Sequence, residues 1–166
     1  MSRRLIMILL MVMFVPLSSS AAIKEESFDY KEGDTVLEGY LVYDDALSAG
    51  KHPAVLVVHD WMGLSDYSKG RAKQLAELGY VAMAVDIYGK DVRPKDAQEA
   101  GAQATLYKKD RTLMRARIHA ALDALKKNPM VNADAIAAMG YCFGGTVVLE
   151  LARSGADVKG VASFHG

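Results

Sequence analysis

The sequence predicts an α/β domain with a mixed, mostly parallel sheet flanked by helices. Three observations predict it. Short uninterrupted apolar runs recur at residues 54–58, 81–85 and 135–139, as in strands buried on both faces. Stretches of helical spacing separate these runs. Polar residues follow the carboxyl end of each run: His59 and Asp60, then Asp86, then Cys142. Parallel sheets place their sites at those ends.

Residues 24–30 and 35–43 are β-prone and meet at Glu32-Gly33-Asp34, which reads as an opening hairpin. Residues 54–58 form the first buried strand. Residues 67–78 have helical character, and Gly79 suits the C-terminal cap. Residues 81–85 form the second buried strand, followed by helical stretches at 94–107 and 112–126. In the latter, Met114, Ile118, Ala121, Leu122 and Leu125 share one face, and Asn128-Pro129 ends it. Residues 135–139 form the third buried strand, 144–153 a helix and 158–164 a final strand. Right-handed crossovers make the later strands parallel, and the hairpin in front makes the sheet mixed.

The chain has 166 residues, with 20 basic and 20 acidic side chains. The start does not read as folded domain. Ser2-Arg3-Arg4 is followed by thirteen uncharged residues, 5–17, and then by Ser18-Ser19-Ser20-Ala21-Ala22. This is the three-part pattern of a secretory signal peptide, cleaved after Ala21 or Ala22. The competing reading is an uncleaved anchor, but a membrane span takes roughly 20 apolar residues. The expected division is a leader at 1–22 and a partial α/β domain at 23–166, with an exported, periplasmic or secreted product. No stable membrane anchor is expected after cleavage.

Loss of Arg3 and Arg4 leaves two more acidic than basic side chains. A near-neutral chain with no basic stripe argues against nucleic acid as a partner. The apolar content of 51% argues against disorder. Cys142 is the single cysteine, so no internal disulfide can form. No Cys/His cluster has metal-ligand spacing, and neither a metal nor another cofactor is expected.

The chemical centre is Gly140-Tyr141-Cys142-Phe143-Gly144-Gly145, between a buried strand and a helix. It has the G-x-nucleophile-x-G spacing of a nucleophile elbow, with Cys in place of Ser. The nucleophile sits on a tight turn, and side chains two residues to either side would collide with that turn. The helix N-terminus behind it carries roughly half a positive charge and favours an anionic sulfur. For a given cysteine, Gly at both flanking positions arises by chance about once in 200, with Gly at roughly 7%. The competing reading is an inert cysteine in a glycine-rich turn. A second element, His59-Asp60-Trp61-Met62-Gly63, follows the first buried strand, where such folds place an oxyanion-hole donor. The expected hole is the backbone N–H of Phe143 with that of Trp61.

From about Tyr30 to Gly166 the chain resembles the dienelactone hydrolase family of the α/β-hydrolase fold. The carrying residues are the 59–63 loop, Gly79-Tyr80, Asp86-Ile87-Tyr88-Gly89 and the Cys142 elbow. The resemblance implies that Cys142 is the nucleophile for hydrolysis of a small-molecule ester or lactone through an acyl-enzyme. It also implies that the acidic residue of the 59–63 loop contacts the resting thiol; here that residue is Asp60, one methylene shorter than the family's glutamate.

Two departures matter. The family's Asp and His follow strands that come after the elbow, and no residue here occupies a matching position. The expectation is therefore a hydrolase sheet lacking its C-terminal strands and catalytically incomplete as it stands. The alternative is a non-catalytic binding protein on the same scaffold; the oligomeric state is open. Among the histidines, His165 closes the last strand and aligns with a strand end, His119 lies beside a helix face, His52 precedes the first buried strand, and His59 reads as loop-shaping. Secondly, some family members hold a substrate carboxylate with an arginine from the helical stretch after the second buried strand. Residues 97–107 contain no arginine; Arg93, Arg111 and Arg115 lie nearby without matching.

Overall fold

A computed structural model describes residues 22–47 and 49–166. Apart from Ala22, the expected leader lies outside the described residues. The elements run β1 (Ile23–Glu32), β2 (Thr35–Asp44), β3 (His52–Val58), α1 (Asp66–Glu77), β4 (Val81–Val85), α2 (Ala97–Lys109), α3 (Arg111–Lys126), β5 (Val131–Tyr141), α4 (Phe143–Arg153) and β6 (Val161–Phe164). The strands form one sheet in the order β1-β2-β4-β3-β5-β6. The β1–β2 and β2–β4 pairs are antiparallel, and β4, β3, β5 and β6 run parallel. The mixed α/β architecture is the one expected.

Alternation along each strand builds two cores. Ala54, Leu56 and Val58 of β3 and Val81, Met83 and Val85 of β4 face one side, against Met114, Ile118, Leu122 and Leu125 of α3 and Val147 and Leu151 of α4. Each large aliphatic side chain taken fully out of water there contributes roughly 1.5–3 kcal/mol. Val55 and Val57 of β3 and Ala82 and Ala84 of β4 face the other side, where α1 supplies Ala72 and Ala76. Small residues on both surfaces let that helix lie close. Glu150 of α4 is buried and accepts from Arg115 Nε and Nη2 at 2.9 and 2.7 Å and from Arg153 at 2.9 Å, which ties α3 to α4.

The element ends differ from expectation for local reasons. α2 starts at Ala97 because Asp96 caps it, its carboxylate accepting the Gln98 and Glu99 N–H groups at 2.9 Å. Asp110 closes α2 and caps α3 through the Leu113 N–H, at 2.9 Å. β5 is longer than the apolar run because Val131 pairs with His52 below a register shift. β6 starts only at Val161: the chain first turns through Val158 N–H to Ala156 O, at 2.9 Å. Gly79, at φ 90°, ends α1 as expected, with its N–H on Ala76 O at 2.9 Å.

Candidate active site

Cys142 stands between the end of β5 and the start of α4 with φ 51° and ψ −113°. A side chain in this region is strained by about 1–3 kcal/mol, and it persists only where the surroundings over-determine it. Here they do. The Cys142 N–H donates to Phe164 O at 2.9 Å, and the Gly145 N–H donates back to Cys142 O at 3.0 Å. A Cβ at Gly140 would meet Gly144 O at 2.1 Å. One at Gly144 would meet His59 O at 2.4 Å and Val58 O at 2.5 Å. One at Gly145 would meet Ser163 Oγ at 2.7 Å and Gly166 Cα at 2.8 Å. The three glycines thus let the turn press on itself, on β3 and on β6.

The 59–63 loop is tied to the elbow by rings. Phe143 is fully buried and stacks on His59 at 5.8 Å and against Tyr88 at 5.2 Å. His59 Nε2 accepts the Ile87 N–H at 3.2 Å, which leaves Nδ1 to donate to Asp60 O. Burial holds this imidazole below its ordinary value, so it is a neutral link between the ends of β3 and β4. The Tyr88 hydroxyl donates to Trp61 O, and Tyr88 O accepts from the Tyr107 hydroxyl, both at 3.0 Å. Among the described residues no acceptor engages the N–H of Trp61 or of Phe143.

A cavity of about 280 Å³ opens over the sulfur, lined by Asp60, Trp61, Tyr67, Tyr141, Cys142 and His165. Asp60 therefore shares it with Cys142, but its Oδ1 accepts the Met62 N–H at 2.8 Å and no hydrogen bond joins it to the thiol. His165 also shares it, with φ 44° and no hydrogen bond to Cys142. A larger hollow of about 610 Å³ between β1 and α3 holds His119 and Asp123, and Cys142 lines the smaller cavity.

Other sequence candidates lie elsewhere. His119 Nε2 bonds Ser154 Oγ at 2.7 Å, and His52 opens β3. Arg93 donates to Gly89 O at 2.8 Å and to Glu38 at 3.1 Å, while Arg111 and Arg115 both turn to Glu150. The buried Asp86 carboxylate accepts the N–H groups of Tyr88 and Gly89 at 3.0 and 3.1 Å, holding the loop after β4. Among the described residues no group of three His, Cys, Asp or Glu could hold a metal ion, and no helix is long and apolar enough to cross a membrane.

Sequence reasoning missed the aromatic wall. Tyr67 meets Tyr141 edge-on at 5.2 Å, and Tyr141 stacks on Phe164 at 4.8 Å. Arg71, one helical turn after Tyr67, lies over the Tyr67 ring at 5.0 Å and the Tyr141 ring at 5.7 Å. The i, i+4 spacing of Tyr67 and Arg71 was the available signal.

The model of the dienelactone hydrolase family matches residues 37–166. A probable 2-oxo-3-(5-oxofuran-2-ylidene)propanoate lactonase of Bradyrhizobium sp. is 31% identical over 117 residues, covering 70% of this chain and 47% of the relative. The solved structure of m3DLH is 41% identical with a TM-score of 0.81, over 84% of this chain and 58% of its own. That of a dienelactone hydrolase-like promiscuous phosphotriesterase from metagenomic libraries is 40% identical with a TM-score of 0.83, over 87% and 60%. The chain spans about half the length of the curated relatives it matches.

Proposed function

The chain belongs to the dienelactone hydrolase family, and from that premise we propose that Cys142 is the nucleophile of an ester- or lactone-cleaving reaction that passes through an acyl-enzyme. The observation that carries the reading is the Cys142 backbone at φ 51°, which presents the side chain to the cavity from the N-terminus of α4. The sulfur, as thiolate, adds to the carbonyl carbon. A C–S bond forms and the π pair moves to oxygen, where the N–H groups of Phe143 and Trp61 receive it. Collapse breaks the C–O bond, and the alkoxide takes its proton from water. Water then cleaves the thioester to release the acid and the thiol.

Acylation outruns deacylation in this reading, because His59 and His119 are bonded elsewhere and His165, which shares the cavity, makes no hydrogen bond to Cys142. The mature chain is exported in the same reading, with cleavage after Ala21 or Ala22, a step that rests on the residue pattern of 2–22 alone.

The test is rapid mixing with p-nitrophenyl acetate, whose leaving group departs without a proton donor. The expected result is a burst of one p-nitrophenolate per chain followed by slow turnover, with both abolished in Cys142→Ala. A burst that survives in Cys142→Ala overturns the reading. Absence of any burst from the folded chain favours the non-catalytic binding scaffold.

A further inference from the structure

We propose that β1 is the contact strand of a two-fold dimer, in which the β1 strands of two copies of this chain pair antiparallel about Phe28 and join two sheets into one. The dimer stands apart from the hydrolase reading and takes nothing from it.

The first observation is an open edge. β1 ends the sheet on one side, with β2 as its strand neighbour. Along it Lys24, Glu25, Glu26, Ser27, Asp29 and Lys31 are exposed. The Asp45 N–H donates to Ala22 O at 3.0 Å, one step beyond the Ile23–Asp44 pair. Hydrogen-bonded and non-bonded pairs alternate in an antiparallel ladder. The even-numbered residues of β1 therefore bond to β2, while Ile23, Glu25, Ser27, Asp29 and Lys31 turn their N–H and C=O groups outward. An added strand must set outward residues against outward residues. A second copy placed about Phe28 does so, and a slip of one residue does not.

The second is charge. With Phe28 opposite the same residue of the second copy, Lys24 lies opposite the second copy's Glu32, and Glu25 opposite its Lys31. The two-fold axis repeats both pairs, and no like charges meet. A slip of two residues one way sets Glu25 against Asp29; the other way it sets Glu26 against Glu32. Like charges directly opposite are destabilising. Charged side chains often guard an edge strand against pairing. Here they disfavour the registers on either side and favour the one between. Among the described residues Lys31 has no carboxylate within 4.0 Å, so it is free to take Glu25 of the second copy.

The third is the hollow between β1 and α3, lined by Phe28 and Tyr30 of the strand and by Ala116, Ala120 and Ala124 of the helix. Residues opposed in an antiparallel pair share a face of the sheet. The second copy's α3 therefore comes to the same face, and the hollow is closed on its β1 side with the two Phe28 residues at the centre. Stable interfaces bury about 1,200–2,000 Å². A strand edge by itself is narrow, and the two α3 helices widen the contact. Cys142 follows β5, on the far side of the sheet order from β1, so both nucleophile cavities stay open.

Sedimentation equilibrium of the purified chain tests the dimer, with circular dichroism to show that each variant is folded. The wild type should sediment as a dimer. Lys31→Glu and Glu25→Lys should each raise its dissociation constant by roughly ten- to hundred-fold, because two exposed attractive pairs become repulsive. The double variant, which swaps the two charges, should return to within about threefold of the wild type. Lys159→Glu, beside the opposite edge strand β6, should leave the constant unchanged. In a Cys142→Ala background, Phe28→Cys should oxidise to a disulfide-linked dimer faster than Glu26→Cys, which the axis sets apart. A monomeric wild type, single variants that associate as tightly as the wild type, a double variant no tighter than the singles, or faster cross-linking through Glu26→Cys overturns the proposal. A loss of association in Lys159→Glu alone also overturns it and assigns the contact to β6.

Discussion

The Tyr88 hydroxyl donates to the Trp61 carbonyl at 3.0 Å across the gap between the β4 and β3 loops. Trp61 itself is exposed. Tyr88 is buried and is held in turn by the Tyr107 hydroxyl on its own carbonyl. The bond thus positions a proposed oxyanion donor from below. Tyr88→Phe should slow the p-nitrophenyl acetate burst by about tenfold, short of the 10² to 10³ of a deleted donor. The unfolding free energy should fall by only about 1 kcal/mol. A burst rate unchanged within twofold in the folded variant would remove Tyr88 from this role.

Gly140 and Gly70 should respond to alanine in opposite directions. At Gly140 the new Cβ would lie 2.1 Å from Gly144 O, a backbone atom that cannot step aside. Gly140→Ala should cost about 3 kcal/mol or more, since overpacking typically costs 1–3 and here meets backbone. Gly70 lies within α1 with nothing within 4 Å of its Cβ position. Gly70→Ala should stabilise by roughly 0.5–1 kcal/mol through helix propensity. Urea midpoints of the two variants check both signs.

His59 should make stability depend on pH. Burial lowers the folded-state pKa below the unfolded value of 6.5, with the Asp60 carbonyl and the Asp86 carboxylate opposing in part. The unfolded chain therefore binds the proton more readily. This group's contribution is fully present above 6.5 and is lost as pH falls through 6.5 toward the depressed value. Unfolding free energies between pH 8 and pH 5 should decline more steeply for the wild type than for His59→Gln, which keeps a donor and an acceptor. Parallel curves would assign the slope to other groups.

Much of the fold was legible because its signals are local. The uninterrupted runs that became β3 and β4 need no partner to be recognised, and neither does the Gly79 cap. The ends were less legible, because capping and pairing set them. Asp96 moved the start of α2 by claiming two N–H groups, and His52 extended β5 by pairing with Val131. At the site, Cys142 and its glycines were readable from spacing, since each glycine answers a contact under 3 Å. Tyr67, Tyr88 and Arg71 were not, because each contacts a group far along the chain.

The sequence alone determined the elbow, the alternation that splits the two cores, and the family. These depend on steric limits and periodicities within a few residues of one another. Only the tertiary structure decided which charged and aromatic groups surround the sulfur. It turned Arg93 to Glu38 and Arg115 to Glu150, and it brought Arg71 over Tyr141, 70 positions away in the chain. The reason is that a side chain's partner is set by which strand ends and helices the sheet order makes neighbours, and no local pattern carries that order.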